Sequence, residues 1–300
     1  MPEAASLRGD VPLSVYRNAP PHPQRQSGGA RPKLDNGRPL FSILTICLNA
    51  EATLERSINS VAAQTYDNIE YIVCDGQSRD GTIDILRRRD TDITYWCSEP
   101  DKGPGDAMSK VLSLATGEYM FILMSDDWIP PDFVSICVET FLRSGKDYVH
   151  GDVNGYDPDG TFRRRNRGRH DFERFLDWRI SIRSPAYVVT RRSLETVGGY
   201  KRTLANDDDW LFRAHRAGFR GIYEPRLVVN FQTGGHSTKN HIKGLWQGLK
   251  YALIHGGVPH RVWMTFLASV VISHRRKALE FVLPRRVVVA LLRWRNRERA

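Results

Sequence analysis

An α/β chain built on a mostly parallel sheet is predicted by three observations. Between residues 41 and 128, apolar runs of strand length alternate with amphipathic stretches of helical spacing. The runs are apolar nearly throughout, as strands covered on both faces must be. Each run ends in polar or acidic residues. Strands alternating with helices imply βαβ units, and ligands of such sheets bind outside the carboxyl ends of the strands.

The elements follow in order. Phe41 to Asn49 reads as a first buried strand, and Glu51 to Gln64 as a helix with Leu54, Ile58 and Val61 on one face. Ile69 to Asp75 is a second strand ending in an acid. The Gly- and Asp-rich turn from Asp75 to Thr82 follows it, and Thr82-Ile83-Asp84-Ile85-Leu86 opens another helix. Ile93 to Cys97 is a third strand, meeting Ser98-Glu99-Pro100-Asp101-Lys102-Gly103. A helix from Gly105 to Thr116 leads to a fourth strand, Tyr119 to Met124, which ends in Ser125-Asp126-Asp127-Trp128. Acids therefore collect at three strand ends: Asp75, Glu99 with Asp101, and Asp126 with Asp127.

The Asp126–Asp127 pair has two readings. Adjacent carboxylates repel and need a compensating cation, and a hard divalent metal holding a polyphosphate takes such oxygen ligands. The plainer reading is a solvated turn with an N-cap aspartate ahead of a helix that starts near Pro130-Pro131. Acids gathered at three separate strand ends favour the first.

From about 40 to 235 the chain resembles the family 2 glycosyltransferases with a GT-A fold, in the branch that includes bacterial polysaccharide-building enzymes. The resemblance rests on Thr45 and Asn49, Ser60 to Gln64, Asp75 to Thr82, Glu99 to Gly103, Asp106-Ala107-Met108 and Ser125-Asp126-Asp127. It continues through Gly198-Gly199-Tyr200, Asn206 to Trp210 and Gly234-Gly235-His236-Ser237. The order and spacing of these motifs over nearly 200 residues is more specific than any one of them.

The resemblance implies roles residue by residue. Thr45 and Asp75 would hold the nucleobase, a carboxylate suiting the imide N–H of uracil, and Asp101 would lie beside it. Asp126 would bind the ribose or the metal's water shell. Asp127 would ligate a divalent metal, Mn²⁺ or Mg²⁺, that bridges the diphosphate. Asp207 aligns with the catalytic base of an inverting transfer, with Asp208 its rival in register and Asp209 a helix stabiliser. Acids also suit the start of the helix that runs from there to about Gly218. Met124 stands where many relatives carry Asn or Asp, which weakens the ribose assignment more than the metal one. Pro104 and Ser109 depart from the pattern too, so donor-sugar selectivity cannot be copied from the family. Gly234 to Ser237 could close over the diphosphate through backbone N–H groups. The basic run Arg163 to Arg169 reads either as a grip for an acceptor phosphate or as a solvated charge run.

Residues 1–39 are polar and turn-rich, so a mobile tail is expected ahead of a catalytic domain over 40–239. No apolar h-region follows the first Met, so no secretory signal is expected and the protein is placed in the cytoplasm. Cys47, Cys74, Cys97 and Cys137 lack metal-binding spacing and read as reduced core thiols. Residues 241–300 hold 12 Lys and Arg against two acids, a balance of +10 that equals the whole chain's net charge. Apolar blocks Val262 to Ile272, Ala278 to Leu283 and Val287 to Leu292 alternate with that charge. The longest, 11 residues, is too short to span a bilayer. A basic amphipathic helical extension over 240–300 is expected, lying on an anionic membrane at its inner face or packed on the domain. No nucleic-acid motif accompanies the charge.

The leading expectation is a metal-dependent, inverting glycosyltransferase taking a nucleotide-diphospho-sugar, with uridine the favoured nucleoside. Its acceptor would be a glycan or a lipid-linked molecule. A nucleotidyltransferase would carry a Gly-rich basic loop after the first strand, and Thr45 to Glu51 has no Gly, Arg or Lys. An oxidoreductase is opposed by the absence of GxGxxG. A catalytically silent glycan-binding or scaffold protein of the same fold would tolerate loss of acids that are all present here.

Overall fold

The computed structural model describes residues 13–34, 36–168, 186–201, 206–235, 241–256 and 258–282. Along the chain run α1 (Leu13–Arg17), β1 (Gln26–Gly28), β2 (Phe41–Cys47), α2 (Leu54–Ala62), β3 (Ile69–Asp75), α3 (Thr82–Arg88), β4 (Tyr95–Ser98), α4 (Pro104–Leu114) and β5 (Tyr119–Ile122). There follow α5 (Phe133–Ser144), β6 (Tyr148–Tyr156), β7 (Phe162–Asn166), β8 (Tyr187–Thr190), α6 (Arg191–Val197), α7 (Asn206–Arg216) and β9 (Gly221–Gln232). The last two helices are α8 (His241–Ile254) and α9 (Pro259–Val282).

Strands β4, β3, β2 and β5 lie side by side and parallel. All seven residues of β2 and of β3 are buried, which is why neither shows polar alternation. The faces separate by the two-residue period of a strand. Phe41 and Ile43 join one core with Leu54 and Ile58 of α2, while Leu44 and Ile46 join a second core with Val111 of α4 and Trp210 of α7. Beyond β5 the sheet turns antiparallel through β8 and β6, and β6 also pairs with β7 and, in parallel, with β9. The register sets Cys47 opposite Asp75 and Asp75 opposite Ser98. Three carboxyl ends are therefore flush, and the loops leaving them share one edge.

The expected tail is corrected over residues 13–34. β1 adds antiparallel to β4, and Leu13 is buried in the second core. The Tyr16 hydroxyl donates to Asp106 Oδ1 at 2.6 Å, and Arg25 donates to both Glu99 oxygens, at 2.5 and 2.9 Å. Few apolar side chains are needed when polar groups reach partners 74 to 90 residues away, and composition does not register such partners. Residues 1–12 lie outside the described residues, as do 283–300 of the basic extension.

The start of that extension packs on the domain. Leu249 and Ala252 of α8 and Val262 of α9 enter the second core. His255 Nε2 meets Asp209 Oδ1 at 3.2 Å and its ring stacks on Phe212. Among the described residues, no helix is long and apolar enough to cross a membrane.

Candidate active site

Each element delivers its polar residues to the carboxyl edge. The chain leaves β2 and β3 through Asn49 and Gln77, at φ of 52° and 66°. Such left-handed positions in non-glycine residues are uncommon and gather at functional sites. Asn49 Oδ1 accepts from the Arg79 amide at 2.9 Å and so ties the two loops together.

Asp75 is buried and accepts from the Ser78 amide at 2.9 Å, from Ser98 Oγ at 2.6 Å, and from Ser78 Oγ. It shapes the loop that would receive a base. Asp101 packs against that loop: a Cβ on Gly76 would lie 2.6 Å from Asp101 Oδ2, so glycine permits the approach. Burial pushes the Asp101 carboxyl up, opposed by the Gly103 amide that donates to it at 2.7 Å. Asp75 and Asp101 are thus brought together. Thr45 is not with them. It is fully buried, its hydroxyl 3.2 Å from the Tyr71 phenol, and it offers a base no surface. On β2, position 45 lies in step with Phe41 and Ile43, on the face turned to the first core.

Glu99 is structural rather than open to a ligand. Burial opposes its ionisation, but hydrogen bonds from Arg25 and Lys110 outweigh that and hold it at about 2.

The aspartate pair divides by depth. Asp126 is half-buried, and a Cβ on Gly235 would lie 2.8 Å from its Oδ2, so the Gly234–Gly235 turn closes directly over it. His236 and Ser237 fall outside the described residues. Asp127 is wholly enclosed: its Oδ1 accepts from the Gln232 amide at 3.0 Å, and its Oδ2 is buried without a hydrogen-bond partner. Burial pushes both carboxyls up, Asp127 far more, with Asp126 adding to the effect. Among the described residues, Arg56 is the cation near both carboxylates. It lies over the Trp128 ring at 3.9 Å and donates to the Asp126 carbonyl at 2.8 Å and to Gln232 Oε1 at 2.6 Å. These bonds go to a backbone carbonyl and an amide, so the carboxylate charge is only partly met.

That orphaned oxygen is the test for a metal, and the pair fits one. An enclosed carboxylate with a free oxygen beside a second acid suits a hard divalent ion completed by phosphate oxygens. Among the described residues, no group of three or more His, Cys, Asp or Glu forms an all-protein metal cage.

Asp207 lies in the first turn of α7. Tyr187 of β8 donates to Asp207 Oδ1 at 3.0 Å, and the Tyr200 phenol closes on Tyr187. Asp207 and Met124, two residues before Asp126, line one pocket. The fold therefore brings Asp207 and Met124, some 80 residues apart in sequence, to one pocket. Asp209 turns inward instead. It pairs with Arg213 at 2.7 Å, Lys201 at 2.9 Å and His255, while Arg213 donates to the Val197 and Gly199 carbonyls. That network fastens the Gly198-Gly199-Tyr200 turn to α7. In the basic run, Arg163 pairs with Asp157 and Arg165 with Asp152 at 2.7 Å, so these two arginines brace the β6–β7 hairpin. Arg169 lies outside the described residues.

Sequence reasoning missed Tyr187 and Arg56. Tyr187 opens a short apolar strand and Arg56 sits on the polar side of α2, and neither position carries a local signal of the partner it meets.

A central, mostly parallel sheet flanked by helices, with acids on the loops at its carboxyl edge, is the architecture of the GT-A class of folds. Residues 42–198, more than half of the chain, match the Glycosyl transferase family 2 model, and the chain belongs to that family. It is 33% identical over 183 residues to an uncharacterized glycosyltransferase of Mycobacterium tuberculosis, covering 59% of this chain and 69% of that one. It is 29% identical over 224 residues to the PGL/p-HBAD biosynthesis glycosyltransferase of the same species, covering 69% and 79%. Among solved structures, Staphylococcus aureus TarS 1-349 in complex with UDP-GlcNAc superposes with a TM-score of 0.60 at 16% identity, over 72% of this chain and 66% of that one. The Pyrobaculum calidifontis mannosyltransferase PcManGT, in complex with GDP-Man and Mn²⁺, gives 0.58 at 19%, over 93% and 84%. Those two likenesses concern the fold. Family membership supports glycosyl transfer as the function and a transferase as the class.

Proposed function

We propose that the chain is an inverting glycosyltransferase using a nucleotide-diphospho-sugar, uridine-linked, with a glycan or lipid-linked hydroxyl as acceptor. The observation that carries this reading is Asp207, held by Tyr187 in a pocket that is also lined by Met124, two residues before Asp126 in sequence. In the transfer the acceptor oxygen attacks the anomeric carbon as the bond from that carbon to the diphosphate oxygen breaks. The bonding electrons leave with the nucleoside diphosphate, and the acceptor's proton passes to Asp207. Tyr187 positions the carboxylate for this. Asp75, Asp101 and the Gly76 backbone form the base subsite, and the Gly234–Gly235 turn covers the diphosphate side.

Asp127 through Oδ2, with Asp126, would hold a Mn²⁺ or Mg²⁺ ion. When bound, such an ion offsets charge on the departing diphosphate.

The acceptor side is proposed to be a membrane surface at the cytoplasmic face. On α8 and α9, Trp246, Trp263, Met264 and Leu267 are 41% to 67% exposed, and Trp246 and Trp263 pack edge-on. Exposed Lys243, Lys250 and Arg261 lie on the same two helices. Tryptophans and aliphatic side chains among basic residues suit an anionic headgroup layer.

Nucleoside diphosphate release from a panel of nucleotide sugars, with and without Mn²⁺, tests the reading. Release is expected from wild type and should fall roughly 10²-fold in Asp207→Asn, the scale of general-base assistance, with donor affinity kept. If Asp208→Asn does this and Asp207→Asn does not, the base is Asp208. Donor binding with no turnover on any acceptor would point to a silent glycan-binding protein.

A further inference from the structure

The pocket beside Asp207 is built of side chains ill-suited to sugar hydroxyls. Met108 and Leu112 come from α4, Met120 and Ile122 from β5, Met124 from just beyond it, and Val189 from β8. The polar groups among its described walls are Asp207 and the Tyr187 and Tyr200 hydroxyls, and these are bonded in series, Tyr200 to Tyr187 to Asp207. Met124 is half-exposed at the edge of the pocket, while Met120 is buried.

We infer that this pocket receives a methyl-terminated substituent of the transferred sugar, a 6-deoxy methyl or an N-acyl methyl, where a common hexose presents a hydroxyl. The inference rests on Asp207 as the base and on the donor sugar lying between it and Asp126. A hydroxyl entering among Met108, Met120 and Met124 would give up water and find thioether and hydrocarbon. A methyl loses nothing there, and unbranched methionine side chains adjust to its shape. An apolar pocket of this kind discriminates by on the order of 10–100-fold.

The test uses the full chain with Mn²⁺ and donors that share a nucleotide. UDP-glucose is compared with UDP-6-deoxyglucose and with UDP-N-acetylglucosamine, and GDP-mannose with GDP-6-deoxymannose. Nucleoside diphosphate release gives kcat/KM, and calorimetric Kd gives the same ratios if release is slow without acceptor. At least one methyl-bearing donor should exceed its hydroxylated parent by about tenfold or more, and the arm that does so tells a deoxy sugar from an N-acyl one. Met124→Asn should shrink that ratio to about threefold or less, while the Kd for UDP alone stays at the wild-type value. Parent hexoses used as well as the methyl-bearing donors would overturn the pocket's role. So would a ratio unmoved by both Met124→Asn and Met120→Thr. Neither release nor binding of any donor would overturn the transferase reading itself, along with this one.

Discussion

Tyr187 is where the fold acts on the proposed base, and removing one oxygen atom tests it. Its hydroxyl donates to Asp207 Oδ1 at 3.0 Å. Burial, and then the neighbouring Asp207 charge, push the phenol far above its usual range, so it stays protonated and remains a donor. A hydrogen bond to a charged acceptor contributes about 1.5–3 kcal/mol. That donor favours the ionised carboxylate, so its loss raises the Asp207 pKa. At about 1.4 kcal/mol per unit, Tyr187→Phe should move the acid limb of the pH–rate profile upward by roughly 1–2 units. The phenylalanine keeps the ring that stacks on Trp210 at 6.2 Å between centroids, so the variant should fold. Initial rates of nucleoside diphosphate release, followed from about pH 4 to 9, give the profile. A profile superimposable on that of wild type, at an equal plateau, would show that Asp207 is not oriented through Tyr187.

Asp127→Asn should weaken UDP binding only when Mn²⁺ or Mg²⁺ is present, and calorimetry giving equal affinity and metal dependence in both proteins would remove Asp127 from the site. Asp209 should couple stability to acid: its buried carboxyl would resist ionisation, but His255, Arg213 and Lys201 outweigh that and hold it at about 2 against an ordinary 3.8. For a depressed carboxylate the contribution is present above the ordinary value and is lost as pH falls toward 2. Wild type should therefore lose roughly 2 kcal/mol more than Asp209→Asn between about pH 5 and 2 in urea unfolding, and parallel curves would refute it. The Arg25→Gln, Tyr16→Phe double variant should loosen the loop from Glu99 to Asp106 that carries Asp101, read as faster amide exchange there and weaker UDP binding at an unchanged metal requirement. Unaltered exchange would make residues 13–34 bystanders. Replacing Trp246, Trp263 and Leu267 with Gln should abolish sedimentation with anionic vesicles, and full-length binding should weaken as salt rises. Undiminished sedimentation would exclude this face as the membrane contact.

The two halves of this protein's description come from different kinds of information. Local pattern sufficed for the sheet: the apolar run from Ile69 to Asp75 is a strand over those same residues, and the spacing of Leu54, Ile58 and Val61 is the buried face of α2. Residue order and spacing also sufficed for the family, because motif spacing survives in the chain however it folds. Depth and partnership did not come from there. A strand buried on both faces has no polar alternation to say which side meets the ligand, so Thr45 was expected in the cleft and lies beneath it. Asp126 and Asp127 are equivalent on paper, and only in the fold does Asp127 become enclosed against the Gln232 amide while Asp126 stays half-buried beneath Gly235. Arg25 with Glu99, Tyr16 with Asp106 and Arg56 with Asp126 are paired across 70 to 90 residues, and no periodicity links them. Such contacts depend on where the strands stack, and that is decided when the two cores close.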